Sequence, residues 1–115
     1  MITAPDCLFC KIAAGTIPSA QVYSDEQVVV FKDINPKTPV HLLMIPREHI
    51  VSLNEITPQQ DGLIAYMMRL LPQLAQQQGL QQGFRTVINT GTGGGQIVFH
   101  LHIHLMGGWN TQPSP

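Results

Sequence analysis

Apolar positions along the chain follow two periods, and the places where they switch predict the elements. From Asp6 to Ala14, Leu8, Phe9, Ile12 and Ala13 form a stripe at helical spacing. Asp6 can cap this short helix and Gly15 can end it. Gln21–Tyr23 predicts a short strand and 24–27 a turn. The β-branched run Val28–Phe31 predicts a second strand, ending near Asp33. The loop 35–39 leads to a third strand, Val40–Ile45, stopped by Pro46. Thr57-Pro58-Gln59-Gln60 combines a cap, a proline at the first helical position and a capping-box glutamine. Leu63, Ile64, Met67, Met68, Leu70, Leu71 and Leu74 then keep a helical period up to Gly79. Pro72 lies inside that run and is expected to kink or split the helix. Strands are expected over 84–89 and 97–106, with the glycine-rich loop 90–96 between them. This order suits an α+β domain over 1–115: an antiparallel sheet of about five strands, one main helix and a short N-terminal helix. The segment 110–115 reads as a loose tail.

Composition narrows the partners. The 115 residues carry 6 basic and 7 acidic side chains, a net charge of −1, with no basic stripe. Neutralising the phosphates of a nucleic acid, or an anionic membrane surface, needs such a stripe, so neither partner is expected. The longest apolar runs fall far short of the ~20 residues that span a bilayer. The N-terminal residues lack the basic start and apolar stretch of a signal peptide, which argues for the cytoplasm.

The candidate chemistry concentrates in 99–105, Phe-His-Leu-His-Ile-His-Leu. On a strand, alternate residues share a face, so His100, His102 and His104 would line one side roughly 7 Å apart. Phe99, Leu101, Ile103 and Leu105 would face the core. Such an imidazole row serves either a metal or nucleophilic catalysis at phosphorus. The second needs an anion cradle, and Gly91-Thr92-Gly93-Gly94-Gly95-Gln96 stands directly before the row. Glycines let successive N–H groups converge on one phosphate.

The chain resembles the histidine-triad (HIT) family of nucleotide hydrolases and transferases. The resemblance runs through Cys7–Ile12, Ile17–Ser19, Phe31–Pro36, His41–Pro46, Asn89, Gly94–Gln96 and the His-x-His-x-His row. Leu105-Met106-Gly107-Gly108 is similar to the Hint branch, the purine nucleoside phosphoramidases. The resemblance implies a HIT-like fold and a hydrolase cleaving purine nucleoside 5′-monophosphate amides or esters. His102 would be the nucleophile that carries the nucleotide covalently, with His104 and His41 completing the set. Asn89, Gly95, Gln96 and Ile97 would hold the phosphate, the last three through backbone amides. Asp33 would bind the ribose hydroxyls. Phe9, Ile12, Phe31, Ile34 and Leu43 would form the purine slot. A dinucleoside polyphosphate hydrolase, or a nucleotide-binding regulator with weak catalysis, are the alternatives.

Cys7 and Cys10 offer two thiols, and a closed zinc site needs two more ligands. His49 and His100 are the candidates, and the resemblance implies a structural zinc on these four. Two other readings of the cysteines stand beside it: small apolar residues on a buried helix face, or a redox pair. Ile97 departs from the family, where a serine often orients the leaving group. Hint-like proteins are homodimers, and Met67, Met68 and Leu71 are expected to supply an apolar patch for pairing.

Overall fold

A computed structural model describes residues 4–109. The tail 110–115 lies outside the described residues. The elements run α1 (Leu8–Ala13), β1 (Gln21–Ser24), β2 (Val28–Lys32), β3 (Val40–Pro46), α2 (Asp61–Gln77), β4 (Arg85–Val87) and β5 (Ile103–Gly107). The five strands form one antiparallel sheet in the order β1-β2-β3-β5-β4.

The sheet separates two packed faces by the strand period of two. On one face Val28, Val30, Leu42, Met44, Ile103 and Leu105 pack against Met67, Leu70, Leu71, Leu74 and Ala75 of α2. On the other, Val29, Phe31, Leu43 and Ile45 pack against Phe9 and Ile12 of α1. β2 and β3 are covered on both sides, which is why they read as continuous apolar runs. The capping box forms, with Thr57 N–H donating to Gln60 Oε1 at 2.7 Å and Thr57 Oγ1 accepting from Gln59 N–H at 3.3 Å, but it caps a 3-10 turn (Pro58–Gln60) that leads into α2, which starts at Asp61 with no side-chain cap of its own.

Several expectations are corrected. α1 is capped by Cys7, whose sulfur accepts from Cys10 N–H at 3.3 Å, and not by Asp6. Of the kink or split expected at Pro72, the split does not occur: α2 runs on through it. Pro72 and Met68, four residues before it, are exposed, so water can solvate the carbonyl that the missing N–H leaves free. Met67 and Leu71 are buried in the core, which leaves only Met68 of the three residues expected to supply an apolar patch.

The last strand is shorter than expected. The β3–β5 register runs from Val40↔Gly107 to Met44↔Ile103 and stops. Continued by two residues it would set Leu101 against Pro46, which has no N–H to give. Leu101 N–H instead donates to Ile50 O at 2.6 Å. β4 pairs only with β5, so it shrinks with it to Arg85–Val87. Phe99, expected in the core, precedes the strand and is exposed.

Candidate active site and metal-ligand cluster

The α1 face of the sheet carries the histidines. His41 pairs with Met106 and Leu43 with His104, so His41 and His104 are diagonal neighbours on one face. His102 lies just before β5, its ring centroid 5.2 Å from that of His104. Phe9 of α1 meets the His102 ring edge-on at 5.1 Å. Only His104 sits on the strand, so strand alternation alone does not produce the row. Backbone and side-chain hydrogen bonds hold the other two.

Those bonds assign the protons. His102 Nδ1 is 2.7 Å from the His100 carbonyl oxygen, an acceptor only. Nδ1 therefore carries the hydrogen, and Nε2 of the neutral ring keeps a lone pair. Lys37 N–H donates to His41 Nδ1 at 3.1 Å, so His41 carries its hydrogen on Nε2. That atom is 2.9 Å from His104 Nδ1, which accepts, leaving the His104 hydrogen on Nε2. Asp33 Oδ2 lies 3.4 Å from His41 Nε2, and Asp33 Oδ1 accepts from Asn35 N–H at 2.9 Å.

Burial above all pushes the His104 imidazole down to about 4, helped by His102 and His41 and opposed by the Asp33 carboxylate. His41 is lowered as well, chiefly by burial. Both rings are neutral near pH 7. Between about pH 6.5 and 4 the unfolded chain binds protons that the folded one refuses. The stability these rings contribute is therefore complete above pH 6.5 and lost as pH falls towards 4. Urea denaturation is expected to show a lower midpoint at pH 5 than at pH 7.5; equal midpoints would contradict it.

The glycine loop 91–96 is braced from within. The buried Gln96 amide accepts from Gly91 N–H at 2.8 Å and donates to Val51 O at 2.7 Å and Val98 O at 3.1 Å. Asn89 Nδ2 donates to Gly94 O at 2.8 Å. Gly95 takes a left-handed φ of +87°, and a Cβ there would sit 3.4 Å from Asn89 Nδ2. Both amide side chains are thus engaged in holding the loop's shape. Ile97 is 86% exposed. Of the proposed purine slot, Phe9, Ile12, Phe31 and Leu43 are buried together, while Ile34 is 91% exposed and lines no enclosed slot.

A second cluster lies under α1. Cys7 Sγ, Cys10 Sγ, His49 Nδ1 and His100 Nδ1 all fall within 4.8 Å of one another. Cys7–His100 is 3.2 Å, Cys10–His49 3.4 Å, Cys10–His100 3.5 Å and His49–His100 3.3 Å. Four donors around one tetrahedral zinc would be roughly 3.3–3.8 Å apart, so the set fits such an ion. The chemistry of the donors agrees. His100 Nε2 lies 2.8 Å from the Pro46 carbonyl oxygen, which places its hydrogen there and turns the Nδ1 lone pair on the thiols. Burial first of all lowers the His100 ring to about 4, keeping it a neutral ligand.

Comparisons with known proteins agree with this layout. The family model described as "Scavenger mRNA decapping enzyme C-term binding" matches residues 6–113. Protein HitA of Neisseria gonorrhoeae is 55% identical over 102 residues, covering 89% of this chain and 95% of that protein. The chain belongs to the histidine-triad (HIT) family. Another HIT relative, the purine nucleoside phosphoramidase of Escherichia coli K12, is 38% identical over 106 residues, covering 91% of this chain and 89% of that one. A 14 kDa zinc-binding protein of Zea mays is 41% identical over 103 residues, covering 88% and 80%. Among solved HIT structures, a histidine triad protein from Clostridium difficile superposes with a TM-score of 0.92 at 38% identity, covering 99% of this chain and 100% of that one. A Zn-bound histidine triad family protein from Mycobacterium smegmatis gives a TM-score of 0.78 at 34% identity, covering 91% and 76%. No helix among the described residues is long and apolar enough to cross a membrane.

The contacts that assign these protons were not in the sequence reading. Nothing in the chain marks the Lys37 amide or the Pro46 and His100 carbonyls, because every residue but proline offers the same backbone groups. The Asp25 carboxylate, which accepts from Tyr23 and Tyr66, likewise stands out only in three dimensions. Burial works against ionising it, but bonds from Tyr66, the Gln27 and Val28 amides and Tyr23 hold it down at about 2. It joins β1 to α2 beside the Arg47 fork, which donates to Asp25 O, Ala13 O and Ser24 Oγ.

Proposed function

We propose that this HIT protein is a nucleotide hydrolase acting on purine nucleoside 5′-monophosphate amides or esters, through a covalent intermediate on His102. The observation that carries this is the bond between His102 Nδ1 and the His100 carbonyl, at 2.7 Å. With the hydrogen held on Nδ1, Nε2 is the nitrogen that can offer a lone pair to phosphorus, the condition for a nucleophile. In the first step Nε2 attacks the α-phosphorus, a P–N(imidazole) bond forms, and the bond to the leaving amine or alcohol breaks. The leaving group takes a proton from water, and the attacking water of the second step gives one back, so no net proton is consumed. In the second, water attacks the same phosphorus, the P–N bond breaks, and the nucleoside monophosphate is released with His102 restored. His104 Nε2–H donates to the phosphoryl or leaving-group oxygen, held in that tautomer by His41. The Gly95, Gln96 and Ile97 amides receive the nonbridging oxygens as a preorganised set of donors, and Asn89 shapes the loop. Asp33 accepts from the ribose hydroxyls, and Phe9, Ile12, Phe31 and Leu43 supply the apolar wall behind the base, with Ile34 at its rim.

Cys7, Cys10, His49 and His100 would hold a zinc ion, which supplies a structural cross-link between α1 and the sheet. The protein is proposed to act as a cytoplasmic homodimer.

The test is product analysis with two substrates, an adenosine 5′-phosphoramidate and a diadenosine polyphosphate. Faster release of AMP from the first is the expected result. A higher kcat/KM on the second would move the protein to the dinucleoside polyphosphate hydrolases. Tight AMP binding with neither substrate cleaved would make it a nucleotide-binding regulator.

A further inference from the structure

The three residues whose amides face the phosphate send their side chains to different places. Gly95 has none. The buried Gln96 side chain is bonded to Gly91 N–H, Val51 O and Val98 O. Ile97 alone turns outwards: it is 86% exposed and belongs to neither packed face of the sheet. Displacement at phosphorus is in line, so the entering and leaving atoms lie on opposite sides with the nonbridging oxygens between them. His102 is buried, with Phe9 of α1 against its ring at 5.1 Å. The leaving group therefore departs on the outward side, the side on which Ile97 stands.

Among the described residues, the side-chain hydrogens around this phosphate are committed or are not acidic. His102 Nδ1–H is held by the His100 carbonyl and His41 Nε2–H by His104 Nδ1. Both Gln96 amide hydrogens are taken by the Val51 and Val98 carbonyls. His104 Nε2–H can donate a hydrogen bond. Burial above all holds that ring down to about 4, so near pH 7 it is no proton donor. The Asn89 amide bonds Gly94 O and is no acid either. Lys37 meets His41 through its backbone amide, at the ring nitrogen that His104 does not touch. Ile97 itself gives no proton. A group that leaves here leaves as a weak base or draws its proton from water.

We propose that Ile97 makes the leaving-group side of the site an apolar subsite that selects aromatic leaving groups, phenols and aryl amines, over alkyl alcohols and alkyl amines. This deepens the proposed function and rests on its placing of His102 and of the 95–97 amides. An aromatic ring laid on Ile97 takes apolar surface of both out of water. With a phenyl ester, the P–N bond to His102 forms as the P–O bond to the phenol breaks, and the electron pair leaves with phenolate. Phenolate spreads its charge into the ring and departs without a proton. Over the two steps, ester and water become the nucleoside monophosphate and phenol.

The experiment uses the phenyl and methyl esters of adenosine 5′-monophosphate. On His102→Ala, calorimetric titration is expected to show the phenyl ester binding about fivefold more tightly than the methyl ester. Adding Ile97→Ala to that variant is expected to make the two bind equally. With His102 present, Ile97→Ala is expected to lower the phenyl-to-methyl ratio of kcat/KM by about the same factor. Across para-substituted phenyl esters, wild-type kcat/KM is expected to rise about fivefold or more for each unit by which the phenol's pKa falls. A rise below about twofold would mean that a side chain such as His104 or Lys37 protonates the leaving group, and would overturn the proposal. So would equal binding of the two esters to His102→Ala. A changed oligomeric state in Ile97→Ala with an unchanged ester ratio would assign Ile97 to an interface between copies instead. Absence of turnover on the wild type would defeat the proposed function and leave the binding comparison to decide this inference. Binding of neither ester would defeat both.

Discussion

Replacing His102 by alanine is expected to reduce kcat on an adenosine phosphoramidate by roughly 10⁴-fold or more, the usual scale for removing a covalent nucleophile. The fold should survive. His102 stands at the end of the sheet, and its polar contact is one bond to the His100 carbonyl. Mass spectrometry of quenched wild-type reactions is expected to find one nucleoside monophosphate added to the peptide containing His102, and none in the variant. The size of the loss separates two roles. A histidine that only hydrogen-bonds the phosphate would cost about 10²–10³-fold when removed, as a single oxyanion donor does. Turnover within a factor of ten of the wild type, or an adduct on another histidine, would remove His102 as the nucleophile.

The second large effect concerns the four-ligand cluster. Purified protein is expected to contain about one zinc per chain. Cys10→Ala, or prolonged chelation, is expected to remove it and lower the thermal midpoint. An ion present at about 1,000 times its Kd adds about 4 kcal/mol, which in a domain of this size corresponds to a shift of roughly 15–25 °C. Much of this reflects geometry. α1 is 6 residues long, too short to persist alone, and it is held by Phe9, Ile12 and its two thiols. His100 transmits the loss further, because its carbonyl fixes the His102 hydrogen. The metal-free protein is therefore expected to lose activity before it unfolds. Metal content by elemental analysis and calorimetry of the two forms check this. Purified wild type that carries no zinc, and whose midpoint neither added zinc nor chelation moves, would show that the cysteines act only as small buried residues.

Much of the site was legible in the chain because side-chain identity carries it. Cys7, Cys10, His49 and His100 could be nominated on ligand chemistry, and the structure brings all four together. His41 and His104 likewise meet, at 2.9 Å. The strand prediction over 97–106 failed where periodicity was blind to the partner. The residues alternate correctly, but at Pro46 the neighbouring strand runs out of donors. At Pro72 the helix is not split: the exposed position lets water reach the carbonyl that loses its partner, and α2 runs on through it.

The sequence by itself determined the α+β class, the two long buried strands, the main helix with the capping box before it, the glycine loop and the identity of the candidate reactive side chains. Each follows from local periodicity or from the chemistry of a residue type. Only the tertiary structure decided which nitrogen of each histidine holds its proton. That choice is made by the Lys37 amide and the His100 and Pro46 carbonyls, backbone groups alike at almost every residue and distinguished only by where the fold places them.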